Sequence, residues 1–243
     1  EVIMKITSLD NNKIKYLMKL KNKKFRDQEN KFIIETPNLI AEALKCQLLE
    51  EVYKLEDYSF NFPNSYDLSK EVMNKVSDLE NSKILGICRK PLNPEGAKEK
   101  LLLLDGIQDP GNLGTIIRSA LGFNVEAIIL SEDSCDAFNS KVVRASEGAI
   151  FKVPIIRADL SLVIDKLKQE NIPIISTDVR RGKDIRDFKC SKFALLMGSE
   201  GQGVKKIYQS QADVTVYIKT NQALESLNVA VATSILLYEL SND

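Results

Sequence analysis

The chain has 243 residues, 44% of them hydrophobic, so it can bury a core as one large domain or two modest ones. Lysine plus arginine number 34, and so do aspartate plus glutamate, so the overall charge indicates no nucleic-acid partner and any basic surface must be local. Histidine is absent, which excludes Ser-His-Asp and Cys-His catalysis and histidine-ligated metal sites. The chemistry must therefore use arginine, carboxylate, hydroxyl or amide groups or a bound cofactor, and we predict no metal site.

The four cysteines are widely spaced and form no Cys-x-x-Cys pair: Cys46, Cys88, Cys135 and Cys190. This spacing disfavours a zinc ribbon or a thioredoxin-type site, and we expect reduced, mostly buried thiols. Residues Glu1 to Leu9 lack the pattern of a secretory signal, and the apolar stretch near Leu227 to Leu237 is too short and too polar to span a bilayer. These patterns predict a soluble cytoplasmic protein.

The first ninety residues combine a lysine-rich start with a small alternating α/β pattern. Ile14, Leu17 and Met18 have helical spacing, and lysines stand between them. The elements that follow are predicted as a strand, a helix opened by proline and a second strand: Lys31–Glu35, Pro37–Lys45 and Leu49–Leu55. Arg89–Lys98 contains two prolines and a glycine without periodicity, which predicts a linker between domains.

From Leu101 onward, short apolar strands alternate with helices. The predicted strands are Leu101–Leu104, Ala127–Leu130, Val153–Ile156, Pro173–Ser176, Phe193–Met197 and Val214–Ile218. The predicted helices are Leu113–Leu121, Lys141–Ala145, Leu160–Gln169 and Leu227–Leu240. This alternation is typical of a mostly parallel sheet covered on both faces. Ligands bind such sheets at the carboxyl ends of the strands, which directs attention to the segments there.

The first of these segments follows the strand Leu101–Leu104. Pro110, Gly111 and Asn112 predict a tight turn, with Asn112 capping a helix that begins at Leu113. Arg118 would lie nearly two turns further along the same broad face, so an amide and a guanidinium could point at one anionic ligand. The alternative is a capped helix with an exposed arginine.

The second segment, Met197–Gly203, follows another apolar strand. Its three glycines let the backbone approach a ligand closely, and its exposed amides suit polar groups. The segment lacks the Gly-Lys-Ser/Thr of a phosphate loop and the glycine order of a Rossmann fingerprint. A tight strand-to-helix turn is the alternative interpretation.

The third segment, Leu224–Ala232, follows the strand Val214–Ile218. Ser226 or Glu225 can open the final helix, whose small apolar residues indicate close packing on both sides. Such an apolar helix must be covered, and a second subunit is one candidate. A core helix with an N-cap is the alternative.

In this order and spacing, the three segments resemble the signature motifs of the SpoU/TrmH branch of the SPOUT methyltransferases. The resemblance covers the chain from about Leu101 to its end, including the run Lys141–Gly148, and the N-terminal region resembles an L30e-like domain. It implies an L30e-like RNA substrate-binding domain in residues 1–90, a linker in 91–100 and a methyltransferase domain in 101–243. It also implies an α/β fold with a mostly parallel sheet and a deep trefoil knot, and a homodimer whose active site draws on both subunits.

The resemblance further implies that S-adenosylmethionine donates a methyl group to a ribose 2'-hydroxyl of structured RNA. Ribosomal RNA is favoured over transfer RNA because of the added N-terminal domain. The catalytic residues would be Asn112, Arg118, Glu200, Ser226 and Asn228. The cofactor would be held by Thr177, Met197, Gly198, Ser199, Gly203, Ile218, Leu227 and Asn228.

A guanidinium stays protonated in proteins, so Arg118 is not assigned as the base. We assign it to clamping an RNA phosphate and stabilising the developing alkoxide, while a phosphate oxygen or water takes the proton of the 2'-hydroxyl. Asn112 would orient Arg118 or the ribose, and Glu200 would fix Arg118 by an ion pair. RNA contacts are assigned to basic residues of the lysine-rich start, together with Arg144 near the active site: Lys13, Lys15, Lys23, Lys24, Arg26 and Arg144. A solvated lysine face is the alternative for each of them.

One stretch departs from the family pattern. Where many members read Ile-Pro-Met before the third motif, this chain has Ile218-Lys219-Thr220-Asn221-Gln222. The missing proline and the added lysine favour weaker cofactor binding and a changed adenosine pocket. They support the alternative of a non-catalytic RNA-binding protein, while transfer-RNA 2'-O-methylation and nucleobase methylation remain alternatives on the same fold. Housekeeping and antibiotic-resistance roles both stay open.

Overall fold

The structure is a computed structural model that describes residues 4–93, 96 and 98–241. The strands, numbered in chain order, are β1 (Met4–Ile6), β2 (Lys31–Ile34), β3 (Leu49–Leu55), β4 (Ser65–Leu68), β5 (Ile84–Arg89), β6 (Lys100–Asp105), β7 (Ala127–Leu130), β8 (Ile155–Arg157), β9 (Ile174–Thr177), β10 (Lys183–Asp184), β11 (Phe193–Gly198) and β12 (Val214–Tyr217). The α-helices are α1 (Asn12–Leu20), α2 (Lys23–Glu29), α3 (Pro37–Lys45), α4 (Lys70–Val76), α5 (Pro110–Gly122), α6 (Ser140–Ala145), α7 (Leu160–Gln169), α8 (Lys206–Gln209) and α9 (Val229–Ser241).

The chain forms two compact units by its internal contacts. The first comprises the residues up to Leu92 together with Phe138–Lys152, and the second comprises Asn93–Ala137 and the chain from Val153 onward. The division predicted from the sequence, 1–90 and 101–243, therefore needs one correction, because Phe138–Lys152 contacts the first unit. Of the predicted linker 91–100, Pro94, Glu95 and Ala97 lie outside the described residues.

The first unit contains a mixed sheet in the order β1-β4-β3-β5-β2, in which β5 is antiparallel to both β3 and β2. Helix α1 buries Ile14, Leu17 and Leu20 in the core of this unit, with the lysines between them on the outer face. The ring of Phe32 on β2 lies 4.9 Å from that of Phe138 and 5.9 Å from that of Phe151, measured between centroids. These ring contacts explain why Phe138–Lys152 belongs to this unit.

The second unit contains a fully parallel sheet in the order β10-β12-β9-β11-β6-β7-β8. Leu101 and Leu103 pack on one face in a core cluster with Leu160 and Ile164 of α7. Leu102 and Leu104, which point to the opposite face, are also completely buried. Burial on both faces explains why these strands are continuous apolar runs rather than alternating ones.

Several elements have the bounds that the sequence predicts, among them α3, β3, β7 and α7. Three helix starts differ, since α5 begins at Pro110 rather than Leu113, α6 begins at Ser140 rather than Lys141, and α9 begins at Val229 rather than Leu227. The cysteines are free, but of the four only Cys88 is buried, which corrects the expectation of mostly buried thiols. Within the described residues, no helix is long and apolar enough to cross a membrane.

Candidate active site

The three segments singled out in the sequence meet at the carboxyl edge of the parallel sheet in the second unit. Strand β11 lies beside β6, with Gly198 in register with Asp105, so the loops that leave these two strands start next to each other. Side chains from both loops and from the start of α9 then bond to one another. The register of two neighbouring strands thus assembles the site from residues distant in the sequence.

Glu200 accepts hydrogen bonds from the other two segments. The side-chain nitrogen Nδ2 of Asn112 donates to Oε1 of Glu200 over 2.9 Å, and Nδ2 of Asn228 donates to the same oxygen over 2.7 Å. Asn228 also donates to Oδ1 of Asn112 over 2.9 Å. In this triangle each member fixes the orientation of the other two, and we call it the Asn-Glu-Asn network.

Helix α9 contributes its first backbone groups to the network. The Oδ1 of Asn228 accepts from the backbone nitrogens of Ala230 and Val231 at 3.0 and 3.3 Å, so Asn228 caps the helix. This corrects the prediction that Ser226 or Glu225 opens it. The backbone nitrogen of Val229 lies 3.4 Å from Oε1 of Glu200, and a carboxylate is stabilised at a helix N-terminus.

Asn112 does not cap α5, contrary to the prediction from the sequence. Asp109 is the cap, and its side chain accepts from the backbone nitrogen of Asn112 over 2.8 Å. With Pro110 as the first helical residue, Asn112 lies inside the first turn, and its side chain is free to reach Glu200. The helix therefore presents Asn112 to the site as a hydrogen-bonding residue.

The prediction that Asn112 and Arg118 share a helix face is also wrong. Six residues at 100° per residue place the two side chains about 120° apart around the axis. Arg118 is exposed, and among the described residues no ion pair joins it to Glu200. Within one chain, Asn112 and Asn228 rather than Arg118 bind the Glu200 carboxylate, and an ion pair between Glu200 and Arg118 stays a prediction.

A cavity of about 370 Å³ opens beside the network. Seven of the eight positions predicted to hold the cofactor line it: Thr177, Met197, Gly198, Ser199, Gly203, Ile218 and Leu227. Asn228, the eighth, lies in the network instead, while Glu200 and Ser226 also line the cavity. Further apolar and polar groups complete the wall, including Val229, Leu236, Asp178 and Gln209.

Two glycines of the second segment are needed for the shape of this cavity. The loop folds back so that the backbone nitrogen of Gly203 donates to the Ser199 carbonyl over 2.8 Å. A Cβ on Gly198 would lie 1.9 Å from the carbonyl carbon of Gly203, so only glycine fits. Gly203 itself has a φ of +66°, in the left-handed region that favours glycine.

A second cavity, of about 410 Å³, lies on the other side of the same loop. Its wall includes Asn112, Gln108 and Asp133. There the ammonium of Lys205 lies 2.9 Å from Oδ1 of Asp105 and 2.7 Å from Oδ2 of Asp133, and Asp105 also accepts from the Lys205 backbone nitrogen over 2.8 Å. Hydrogen bonding to Asp133, and then to Asp105, raises the pKa of Lys205.

The Lys205 cluster is a feature that sequence reasoning missed. Asp105 is buried at the end of β6, and it ties the far end of the second segment back to the first. The available signal was the position of Asp105, a carboxylate directly after an apolar strand. Charge-assisted hydrogen bonds of this kind hold the loop that carries Glu200 in place.

The predicted RNA contacts in the first unit have varied surroundings. Lys13 pairs with Glu51 at 2.7 Å, Lys15 with Asp10 at 3.3 Å and Lys23 with Asp27 at 2.7 Å, whereas Lys24 is exposed. Arg26 is only 6% exposed and donates to the carbonyls of Leu20 and Lys21, at the C-terminal end of α1. The prediction of an RNA contact is wrong for Arg26, whose charge stabilises that helix end.

Arg144 lies on α6, which by its contacts belongs to the first unit. Its side chain is half-buried. Burial opposes the ionisation of Asp78, but hydrogen bonds from Lys21 and Ser140 lower the pKa of that carboxyl, and the charge of Arg144 lowers it further. RNA contact by Arg144 and by the exposed lysines stays a prediction.

Comparison with known proteins gives matches over both units. Residues 99–238 match the SpoU rRNA methylase family, and residues 11–85 match the MRM3-like substrate-binding domain. A relative from Bacillus subtilis (strain 168), the 23S rRNA (guanosine(2553)-2'-O)-methyltransferase RlmP, is 35% identical over 97% of this chain and 98% of its own length. The 23S rRNA (guanosine-2'-O-)-methyltransferase RlmB from Coxiella burnetii is 35% identical over 68% of this chain and 66% of its own length.

Among solved structures, the AdoMet-bound rRNA methyltransferase from Sinorhizobium meliloti aligns with a TM-score of 0.83 at 27% identity, covering 98% of this chain and 97% of its own. The SpoU methyltransferase AviRb from Streptomyces viridochromogenes, at 21% identity, has a TM-score of 0.84 over 95% of this chain and 97% of its own. These alignments confirm the α/β fold with a mostly parallel sheet that the sequence resemblance implies.

Proposed function

The chain belongs to the SpoU rRNA methylase family, and we propose that it methylates a ribose 2'-hydroxyl of ribosomal RNA with S-adenosylmethionine. One observation carries the proposal: Asn112, Glu200 and Asn228, one from each of the three segments, meet beside the cavity that Glu200 lines. This arrangement is what a reaction between a bound small molecule and a polymer at the rim requires.

The cavity suits S-adenosylmethionine in size and in lining. Its volume of about 370 Å³ lies in the range of small-molecule sites. Met197, Ile218 and Leu227 offer apolar contact for an adenine ring, and the polar groups of Thr177 and Gln209 suit ribose and amino-acid groups. When bound, the cofactor supplies an activated methyl group on a sulfonium centre.

The residues of this chain therefore have to position the ribose and stabilise charge. We assign Asn112 and Asn228 to hold the Glu200 carboxylate in one orientation, and Ser226 and Glu200 to align the 2'-hydroxyl at the cavity rim. The chain contains no histidine, and we assign the proton to a phosphate oxygen of the RNA or to a water. Alignment of this kind supplies much of the rate enhancement in transfer reactions.

We further propose that two chains form a homodimer and that Arg118 acts in the active site of the partner. Within one chain Arg118 is exposed and on a different face of α5 from Asn112, so it does not reach the Asn-Glu-Asn network. Brought there by a second chain, its guanidinium would clamp an RNA phosphate and stabilise the developing alkoxide.

An exposed apolar surface on α5 and α9 supports the homodimer. The two helices pack together, with a hydrogen bond of 2.7 Å between the hydroxyls of Ser119 and Ser234. Their outer faces leave Leu121, Val231 and Tyr238 exposed, by 37, 47 and 53%. Val231 and Tyr238 are seven residues apart and so lie on one face of α9, as expected of a surface that a second chain covers.

The proposed reaction is tested with purified protein, radiolabelled S-adenosylmethionine and an unmodified transcript of 23S rRNA. Nuclease digestion and mass spectrometry should reveal one nucleoside methylated on its ribose. A methylated base would identify the alternative activity, and labelling of transfer RNA alone would reassign the substrate. Absence of label in any cellular RNA, combined with absence of S-adenosylmethionine binding by calorimetry, would overturn the proposal.

The shared active site is tested by mixing two inactive variants, R118A and E200A, after reversible dissociation. If Arg118 acts in the partner's site, heterodimers contain one site with both native residues, and about a quarter of the wild-type activity should return. A site formed within one chain would instead stay inactive in every mixture. Light scattering of the wild type should give the mass of two chains.

A further inference from the structure

Four exposed cations lie near the cofactor cavity, on two adjacent loops and at the start of β10: Arg180, Arg181, Lys183 and Lys219. They were not among the residues that the sequence assigned to RNA. The first loop leaves β9 and the second leaves β12, and β9 and β12 are paired in the sheet. We call these four residues the lip cations.

Hydrogen bonds and strand pairing fix the lip cations near one another. The guanidinium of Arg180 donates to the Gln222 carbonyl over 3.4 Å, which joins the first loop to the second. Lys183 is in register with Val216 on the edge of the sheet. Gly182 precedes Lys183 and lies close to the backbone of Thr215. A Cβ on Gly182 would be 2.1 Å from the Thr215 carbonyl oxygen, so the first loop packs closely against β12.

Residues next to Arg180 and Lys219 in the chain line the cavity. Asp178 and Val179, which precede Arg180, line the cavity. Ile218 and Thr220, which flank Lys219, line it as well. A polymer that delivers a ribose to the rim would therefore pass next to these charges.

The carboxylates on the same loops are already occupied. Asp178 is partly buried, which opposes its ionisation, but the backbone nitrogens of Arg180 and Arg181 donate to it and lower its pKa. Asp184 pairs with Arg186 at 2.6 Å, and that pair, with a smaller contribution from Lys219, lowers the pKa of Asp184 to about 2. Within the described part of the chain, no carboxylate oxygen lies within 4.0 Å of a charged nitrogen of the lip cations, whereas other lysines such as Lys5, Lys21 and Lys31 form ion pairs.

We propose that the lip cations bind the phosphate backbone of the RNA next to the nucleotide that is methylated. The inference rests on the proposed function and names the surface through which the catalytic unit holds its substrate. Unpaired cations around a cavity are the footprint of a polyanion, and in a chain of zero net charge such a cluster must be built locally. Lys219, which departs from the family pattern, is thereby assigned to RNA binding.

The test compares two double variants of the full chain that remove the same charge. R181Q/K219Q neutralises two lip cations, and K166Q/K168Q neutralises two exposed lysines of α7 on the same unit. The affinity for an unmodified 23S rRNA transcript is measured across a salt series, and the affinity for S-adenosylmethionine is measured by calorimetry. Arg180 is left unchanged because its hydrogen bond to Gln222 holds the loops together.

R181Q/K219Q should weaken RNA binding by about tenfold or more near 0.1 M salt and flatten the plot of log K against log salt concentration by roughly 1.5. Its KM for RNA should rise while kcat and S-adenosylmethionine affinity stay as in the wild type, and K166Q/K168Q should change none of these. If both double variants weakened RNA binding equally, the proposal would be overturned. Weaker S-adenosylmethionine binding by R181Q/K219Q would also overturn it, because Arg181 and Lys219 would then be cofactor contacts. Failure of the wild type to methylate RNA would count against the proposed function and would leave the binding comparison interpretable.

Discussion

The lysine-rich start of the chain and the carboxyl edge of the parallel sheet are both rich in charged side chains, but the structure uses them differently. Lys13 and Lys23 are paired with carboxylates, and Arg26 is bound to backbone carbonyls, so much of the charge at the start is used in holding the first unit together. At the sheet edge, neither Arg181 nor Lys219 forms an ion pair with a described carboxylate, and the Asn-Glu-Asn network borders open cavities.

Charge density in a sequence therefore does not measure the charge that is available to a ligand. A lysine that pairs in the fold with a glutamate far away in the sequence cannot be told from an unpaired lysine by the sequence alone. What separates them is the partner, and the partner is set by strand order and helix packing. If the partner of a charged side chain distinguishes structural from functional residues, substitutions in the two regions should affect different properties.

The largest expected effect is on catalysis, from E200A. Removal of the carboxylate releases Asn112 and Asn228, and misplacement at a reacting centre costs about 100-fold or more in kcat. Because Glu200 is exposed, the melting temperature should stay within a few degrees of the wild type. Single-turnover methylation and thermal unfolding are measured together, with D165A on α7 as the matched loss of an exposed carboxylate. A large fall in stability would mean that the network is structural.

The next effect is on stability, from R26A. The guanidinium of Arg26 is buried and donates to two carbonyls, so its loss should lower the free energy of unfolding by about 2 kcal/mol. K24A, two residues away and exposed, should change it by less than about 0.5 kcal/mol. Urea unfolding followed by circular dichroism measures both. If the two variants were equally stable, the classification of Arg26 as structural would be wrong.

Much of the fold follows from local patterns in the sequence. The bounds of α3 and α7 are predictable because apolar spacing, Pro37 and the flanking polar residues all agree. The meeting of Asn112, Glu200 and Asn228 is predictable in outline, because the carboxyl ends of parallel strands share an edge.

Other features depend on contacts that no local pattern shows. Asp109 and Asn112 are both residue types that cap helices well. Asp109 is the cap because Pro110, which follows it, favours the first helical position. Phe138–Lys152 joins the first unit through ring contacts with Phe32, more than a hundred residues earlier. A knot is rejected by general topology rules, so the sequence implied it only through family resemblance.

A smaller effect concerns a charge that is used within the first unit. Lys152, and then Lys45, hydrogen-bond to Glu42 and lower its pKa to about 2 from an ordinary value of 4.5. Since the folded-state pKa is depressed, the stabilising contribution is present above about pH 4.5 and is lost as the pH falls toward 2. In K152Q the pKa of Glu42 should rise toward its ordinary value, as measured by NMR titration. An unchanged pKa would show that the pair does not persist in solution.

The smallest expected effect is that of K23Q/K24Q on RNA binding. Lys23 must give up its contact with Asp27 before it can bind a phosphate, whereas Lys24 is exposed, so the pair offers about one available charge. We expect binding to weaken about two- to threefold and the salt slope to flatten by less than 1, which is a smaller change than R181Q/K219Q should produce in the same titration. If K23Q/K24Q weakened binding more than R181Q/K219Q, the lysine-rich start would be the main RNA surface, and ion pairing within the fold would not predict which cations an RNA uses.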